Sequence, residues 1–406
     1  MVGCREGIVA LKSSVPLSAS ERIESIDIVR GLALFGVLIV NLVFEFRVSI
    51  FQQFLGPSAP QTMWDRFVET GIALIFSMKA FALFSLLFGV GLAIQFDRLS
   101  KGGEAIYRLT CRLFILLVFG LVHLVLIWNG DILIEYAIGG LLMLPLLYAR
   151  SGMLALASAI IFALYLLFSV VPLPIAWPSQ TWMLQHVADA NRVYASGDFA
   201  EVLRFRIGEL RSIMALHAYV FPRTLALFVL GAIAWRSGML SEPERFKQPL
   251  RWIAFAGLGV GFALAVADAF GGIAAWSWLG PVRLALPNFG TTMLALGYGA
   301  AMVLALQFPV VRRFFRPVAS MGRMAFTNYI MQSVVFGWIF YGYGLGLFGK
   351  LGAGVTLLIG VAVYAMQIIG SAWWLRSHHF GPLEWLWRSL MYGDAQPMRR
   401  SSELAK

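Results

Sequence analysis

Ten apolar stretches, each near the length that crosses about 30 Å of hydrocarbon as a helix, dominate the sequence. They run from Gly31 to Phe46, Gly71 to Gln95, Leu109 to Trp128, Ile132 to Tyr148, Met153 to Val171, Pro222 to Trp235, Trp252 to Gly272, Pro287 to Phe308, Ala325 to Tyr343 and Leu351 to Trp374. The first and sixth need help from flanking residues to span. In lipid every backbone N–H and C=O must be satisfied within the protein, which a helix achieves alone. The fold expected is all-α: a polytopic membrane helix bundle with about ten transmembrane helices. Composition agrees, since 59% of residues are hydrophobic and 13% charged. The mean hydropathy of +0.77 excludes the soluble-enzyme classes.

The net charge of +11 is explained by topology before any nucleic-acid partner is invoked. With a cytoplasmic N-terminus, 22 of the 32 lysines and arginines fall in inside segments. That bias places both termini in the cytoplasm. A one-span error would scramble the alternation, so the bias also supports the count. The protein is expected in a bacterial cytoplasmic (inner) membrane. Residues 1–25 read as a disordered cytoplasmic tail, 26–395 as one transmembrane bundle, and 396–406 as a second cytoplasmic tail. The N-terminal stretch lacks the pattern of a cleaved signal peptide. Cys4 and Cys111 are the two cysteines; their positions argue against a structural disulfide and exclude a cysteine metal cluster.

One long polar stretch interrupts the pattern, at about 173–221. Val187, Val193 and Tyr194, then Phe199, Val202, Leu203, Ile207 and Leu210, recur at near-helical spacing. This predicts one or two amphipathic helices on the outer face, broken near Ser196-Gly197, that roof a pocket or merely connect spans. No internal repeat stands out. Gly344, Gly346 and Gly349 match GxGxxG, but no strand precedes them, so dinucleotide binding is rejected.

The polar residues inside the apolar runs carry the functional reading. In Gly120 to Gly140 two spans meet at Trp128-Asn129-Gly130-Asp131, which leaves room only for a tight turn. His123, Asp131 and Glu135 lie close to it. Groups of this kind are costly near hydrocarbon and are expected to face a protein interior or a wet cavity. Counting 1.5 Å per helical residue, Asn41, Glu45, Lys79 and Asp268 share the outer half with them. An unpaired ammonium there costs about 2.5–3.5 kcal/mol, so Lys79 is expected to pair with Asp131 or Glu135. His123 can be a packed, hydrogen-bonded histidine or a catalyst. A second cluster gathers at the inner face: Arg22, Asp27 and Arg30 before the first span, Arg108 and Arg112 before the third, and Arg323 before the ninth. It reads as a solvated ion-pair stripe or as a phosphate-binding rim. His186 and His217 sit in the outer segment, and no histidine spacing suggests a metal site.

Several stretches together resemble the YeiB-type family, a domain of unknown function. They include Arg22 through Asp27 and Arg30-Gly31 to Asn41, Lys79 with Leu83 to Gly89, and Arg112 with Gly120 to His123. They continue with Gly130 to Leu133, Tyr194 to Gly197, Gly322-Arg323 with Thr327 to Tyr329, and Gly381-Pro382 to Arg388. That family is similar, more distantly, to transmembrane acyltransferases such as heparan-glucosaminide acetyltransferase and acyltransferase family 3. The shared piece is an Arg, an Asp and an Arg-Gly entering the first span, here Arg22, Asp27 and Arg30-Gly31, and an asparagine matching Asn41. The histidine that follows this asparagine in the heparan enzyme has no counterpart here, where Phe46 to Gln53 occupy the region.

The resemblance implies an acyl group moving from cytosolic acyl-CoA, acetyl-CoA in the simplest case, to a hydroxyl or amine of an outward-facing sugar, lipid or glycan. His123 would be the general base or transient acyl carrier. Asp131 or Glu135 would orient it, and Asn41 and Lys79 would stabilise the oxyanion. Arg22, Asp27, Arg30, Arg108, Arg112 and Arg323 would form the coenzyme site. The partners expected are membrane lipid and the acceptor, with no metal and no nucleic acid, and with a homodimer left open. The alternative is a proton-coupled carrier or flippase without chemistry, against which the lack of repeats counts.

Overall fold

The computed structural model describes residues 23–56, 62–171 and 177–400. Its architecture is an all-α membrane bundle. The helices are α1 Glu24–Asn41, α2 Met63–Ile75, α3 Lys79–Ser100, α4 Ala105–Val122, α5 Leu133–Met143, α6 Ser151–Val170, α7 Gln180–Ser196 and α8 Phe199–Arg236. They continue with α9 Lys247–Ala269, α10 Gly272–Ala275, α11 Leu286–Ala305, α12 Pro309–Arg323, α13 Ala325–Phe340, α14 Ala353–Ser377 and α15 Pro382–Tyr392. Among the described residues, eight helical stretches are long and apolar enough to cross a membrane. The stretches expected as the fourth and ninth spans are shorter: the apolar Leu133–Tyr148 and the 16-residue α13.

Burial orders the helices. In α1 78% of the apolar window is buried inside the protein, against 17% in α6, so α1 is central and α6 peripheral. Small residues set the closest crossings. A Cβ on Gly89 would strike the Phe228 carbonyl, and one on Gly231 would strike the Leu86 carbonyl, which fixes α3 against α8. Likewise a Cβ on Gly322 would strike the Asp27 carbonyl, which seats α12 on α1.

Two expectations change. No helix boundary separates the insertion from the sixth span at Pro222: α8 runs unbroken for 38 residues through Pro222. At 1.5 Å per residue it is about 57 Å long, so it crosses the membrane and projects well beyond it. Proline removes one backbone donor, and the packed neighbours of α8 outweigh that loss. The break near Ser196-Gly197 is present. Asp198 starts α8 with a reciprocal capping box, accepting from Glu201 N at 2.9 Å while Glu201 accepts from Asp198 N at 3.1 Å. Second, the stretch from Gly71 to Gln95 is broken between α2 and α3, where Met78 takes a left-handed φ of 61°. The last described residues pack back on the bundle: His378 and Arg399 form a backbone bridge, and His379 N donates to Met398 O at 2.9 Å.

The two ends of the described chain lie at one end of the bundle. Ile23, Arg98, Trp235, Arg323 and Tyr392 all line one cavity there. The opposite end carries α7, the projecting half of α8, and the turn between α4 and α5.

Candidate functional site

His123 stands where α4 changes character. The last five residues of this span, His123–Ile127, form a π-helical turn, a local widening that recurs at functional sites. The chain then turns through Trp128-Asn129-Gly130 into α5. His123 Nδ1 lies 2.8 Å from Asp131 Oδ1, with both side chains sealed from solvent. Asp131 Oδ2 accepts from Ile134 N at 2.8 Å, so the first turn of α5 holds the carboxylate. With Nδ1–H donated to Asp131, Nε2 carries the lone pair of a neutral imidazole. That nitrogen is buried and has no hydrogen-bond partner. The Tyr329 ring packs on the imidazole with centroids 5.2 Å apart.

One turn along α5, Glu135 Oε2 lies 2.9 Å from His217 Nδ1 on α8. The field at His217 comes from Glu135, Asp131 and Glu45 together. Glu45 belongs to a second π-helical turn, Leu42–Phe46, at the end of α1. Two π turns and two histidine–carboxylate pairs thus meet at one depth. His123 is about 27 Å along α4 from Ala105, and His217 about 28 Å along α8 from Arg236.

The projecting half of α8 holds the α4–α5 turn in place. Arg206 donates to Ile127 O and, at 3.4 Å, to Leu126 O, carbonyls that the end of the π turn leaves open. Glu209 accepts from Asn129 Nδ2 at 2.5 Å and from the Tyr194 hydroxyl, and pairs with His186 Nε2 at 2.5 Å. Burial pushes the Tyr194 hydroxyl well above its ordinary value, so it remains a donor. His186 is itself sandwiched between Trp182 and Phe205, at 4.4 and 4.9 Å.

Beneath this site opens a cavity of about 330 Å³. Its mouth, at the end shared by the two ends of the described chain, is lined by Asp27, Arg30, Arg98, Arg112, Arg323, Glu384 and Arg388. Its shaft is apolar, with Leu87, Phe88, Leu92, Leu116 and Phe326. It closes at Ile132, Leu133, Tyr136 and Tyr329. Arg112 lies 3.7 Å over the Trp387 ring, and its Nε is buried without a hydrogen-bond partner. Arg30 pairs with Asp27 at 2.8 Å. Glu384 caps α13 from outside the helix, accepting from Phe326 N at 2.8 Å, Thr327 N at 3.1 Å and Thr327 Oγ1 at 2.5 Å. Burial raises its carboxyl above the usual value, and these bonds partly oppose that rise.

The residues singled out in the sequence therefore fall into three groups. His123, Asp131 and Glu135 converge, and it is Asp131 that holds His123 while Glu135 holds His217. Asp27, Arg30, Arg112 and Arg323 line one cavity mouth. The others lie elsewhere. Lys79 does not pair with Asp131 or Glu135: it opens α3, donates to Ala73 O at 2.8 Å and feels the charge of Asp268. A depth counted along the sequence carries no information on lateral position. Arg108 pairs with Glu104 at 2.6 Å outside the cavity lining. Asn41 is buried on α1 with an unpartnered Oδ1. Arg22 lies outside the described residues. Sequence reasoning missed Arg98, Arg388, Glu384 and Tyr329 as lining residues, and Glu209 and Arg206 as supports. Thr327 to Tyr329 and Gly381 to Arg388 are among the stretches that carry the family resemblance, which assigns them no role.

A family model described as "Protein of unknown function (DUF418)" matches residues 234–394, which take in α9 to α15. The Bacillus subtilis (strain 168) protein described as uncharacterized protein YxaH is 33% identical over 417 residues, covering 97% of this chain and all of the relative. The uncharacterized protein YeiB of Escherichia coli (strain K12) is 28% identical over 93% of this chain and 98% of its own length. A 39.9 kDa protein from the amylase 3' region of Bacillus acidopullulyticus is 27% identical over 96% of this chain and 99% of its own. These full-length matches and the family model agree, and the chain belongs to the YeiB-type DUF418 family.

Proposed function

We propose that this protein is an integral membrane acyltransferase of the bacterial cytoplasmic membrane. It takes an acyl group from cytosolic acyl-CoA and delivers it to a hydroxyl or amine of an outward-facing sugar, lipid or glycan. Both termini are cytoplasmic in this reading, as the basic-residue bias suggests. The observation that carries it is the cavity: an arginine-rich mouth at one end and, behind the wall at its closed end, the His123–Asp131 pair. Arginine suits the coenzyme's phosphates because its planar donors meet them in bidentate fashion. The apolar shaft suits the pantetheine arm and the acyl chain. His123 Nε2 receives the acceptor's proton, with Asp131 holding the imidazole in the required tautomer.

The test is thermal stabilisation of the detergent-purified protein by acetyl-CoA and by longer acyl-CoAs. Stabilisation is expected, and Arg112→Ala should weaken it about tenfold or more in apparent affinity, as loss of a charge-assisted bond implies. A folded protein that no acyl-CoA stabilises overturns the proposal.

A second reading has its own support. His123–Asp131, His217–Glu135 and His186–Glu209 make three buried or half-buried pairs toward one end of the bundle, as a proton-coupled carrier would need. Solute movement into proteoliposomes under a pH gradient, with no acyl donor present, favours that reading.

A further inference from the structure

The closed end of the cavity is walled by two tyrosines with different commitments. The Tyr136 hydroxyl sits 2.9 Å from Ser85 Oγ and is held there. Tyr329 is held loosely. Its oxygen accepts from Ile132 N at 3.4 Å, and its proton faces Gly130 O at 3.5 Å, the outer limit of a hydrogen bond. Tyr329 lines the cavity and also packs on the His123 imidazole. It therefore joins the space a ligand would fill to the buried histidine.

We propose that this closed end is the thioester subsite and that the Tyr329 hydroxyl is the donor to the acyl carbonyl oxygen; this rests on the acyl-transfer reading above. A hydroxyl whose proton is spent only on a long contact loses little by turning to a ligand. The bond it accepts from Ile132 N makes it a better donor. In the transfer step the acceptor's lone pair attacks the thioester carbon. Negative charge then develops on the carbonyl oxygen, where the Tyr329 O–H meets it. The C–S bond breaks and coenzyme A leaves as the thiolate. The acceptor's proton passes to His123 Nε2 and from there to the thiolate, so Tyr329 keeps its own proton throughout. This places a donor where Lys79, engaged at the α2–α3 break, does not reach.

The experiment compares wild type with Tyr329→Phe, which keeps the ring against His123 and removes only the hydroxyl. Acetyl-CoA is the probe in two assays: binding by thermal shift, and thiol release to water or to added glucosamine. The expected result is a thiol-release kcat about a hundred- to a thousandfold lower, with unchanged acetyl-CoA affinity and unfolding temperature. Unchanged turnover overturns the assignment while leaving the acyltransferase reading intact. Equal losses of binding and turnover also overturn it, since Tyr329 would then be only part of the wall. A wild-type protein that neither binds acetyl-CoA nor releases thiol sinks the acyl-transfer reading and this inference with it.

Discussion

Asp131 uses each of its oxygens once. Oδ1 meets His123 Nδ1 and Oδ2 caps the first turn of α5, each at 2.8 Å. In Asp131→Asn one of those positions becomes an amide that cannot accept. Either His123 is pushed into the tautomer with its proton on Nε2, or Ile134 N–H is left unpaired. The expected outcome is loss of the proposed activity by about a hundredfold or more, in line with the wrong tautomer. Stability should fall by about 1–3 kcal/mol, read as a lower unfolding temperature in detergent. A variant with full turnover and wild-type unfolding would remove Asp131 from the site. That His123 lies near Asp131 and Glu135 was legible in the sequence because the turn between the two spans is short; which carboxylate holds the imidazole was not. Nor was the partner of Glu135, because His217 lies 82 positions away in sequence.

At the scale of elements, α8 links the two halves of the site. Its C-terminal half packs on α3 through Gly89 and Gly231, and its N-terminal half clamps the α4–α5 turn through Arg206 and Glu209. Gly231→Val forces the two backbones apart and should cost about 1–3 kcal/mol or more, seen as a reduced yield of folded protein. Gly208 lies on the same helix with open space where a Cβ would go. Gly208→Ala should be neutral or stabilise by up to about 1 kcal/mol, as in any exposed helix interior. Equal behaviour of the two variants would mean that the crossing does not depend on glycine. The continuity of α8 was hidden from the sequence because Pro222 and a polar run both signal a boundary. A 38-residue helix that is half outside the membrane shows no uniform apolar stripe.

For the whole molecule, the polarity of the site is the central matter. An arginine-rich mouth at the end that carries both ends of the described chain, with paired histidines toward the other end, works as an acyl-transfer path only in one orientation. In a cysteine-free background, Arg192→Cys on α7 should react in intact cells with a membrane-impermeant maleimide. Ser241→Cys, in the turn between α8 and α9, should react only after the membrane is opened. The reverse pattern would turn the arginine mouth away from the cytosol and deny acyl-CoA access to it.

The class of fold, the approximate place of the apolar stretches and the tight turn that keeps His123 near Asp131 and Glu135 could be read from the chain alone, because apolar length and rise per residue are one-dimensional quantities written directly along it. Which of the polar residues meet is settled only by the packing of the helices. Lys79 and Glu135 were expected at a common depth, yet Lys79 sits at the α2–α3 break while Glu135 faces His217. Arg30, Arg112, Arg323 and Arg388 come from four helices and converge on one cavity. Lateral position depends on which helices pack together and at which crossing, and that is set by close contacts such as Gly231 on Leu86 and Gly322 on Asp27, contacts between residues far apart in the chain.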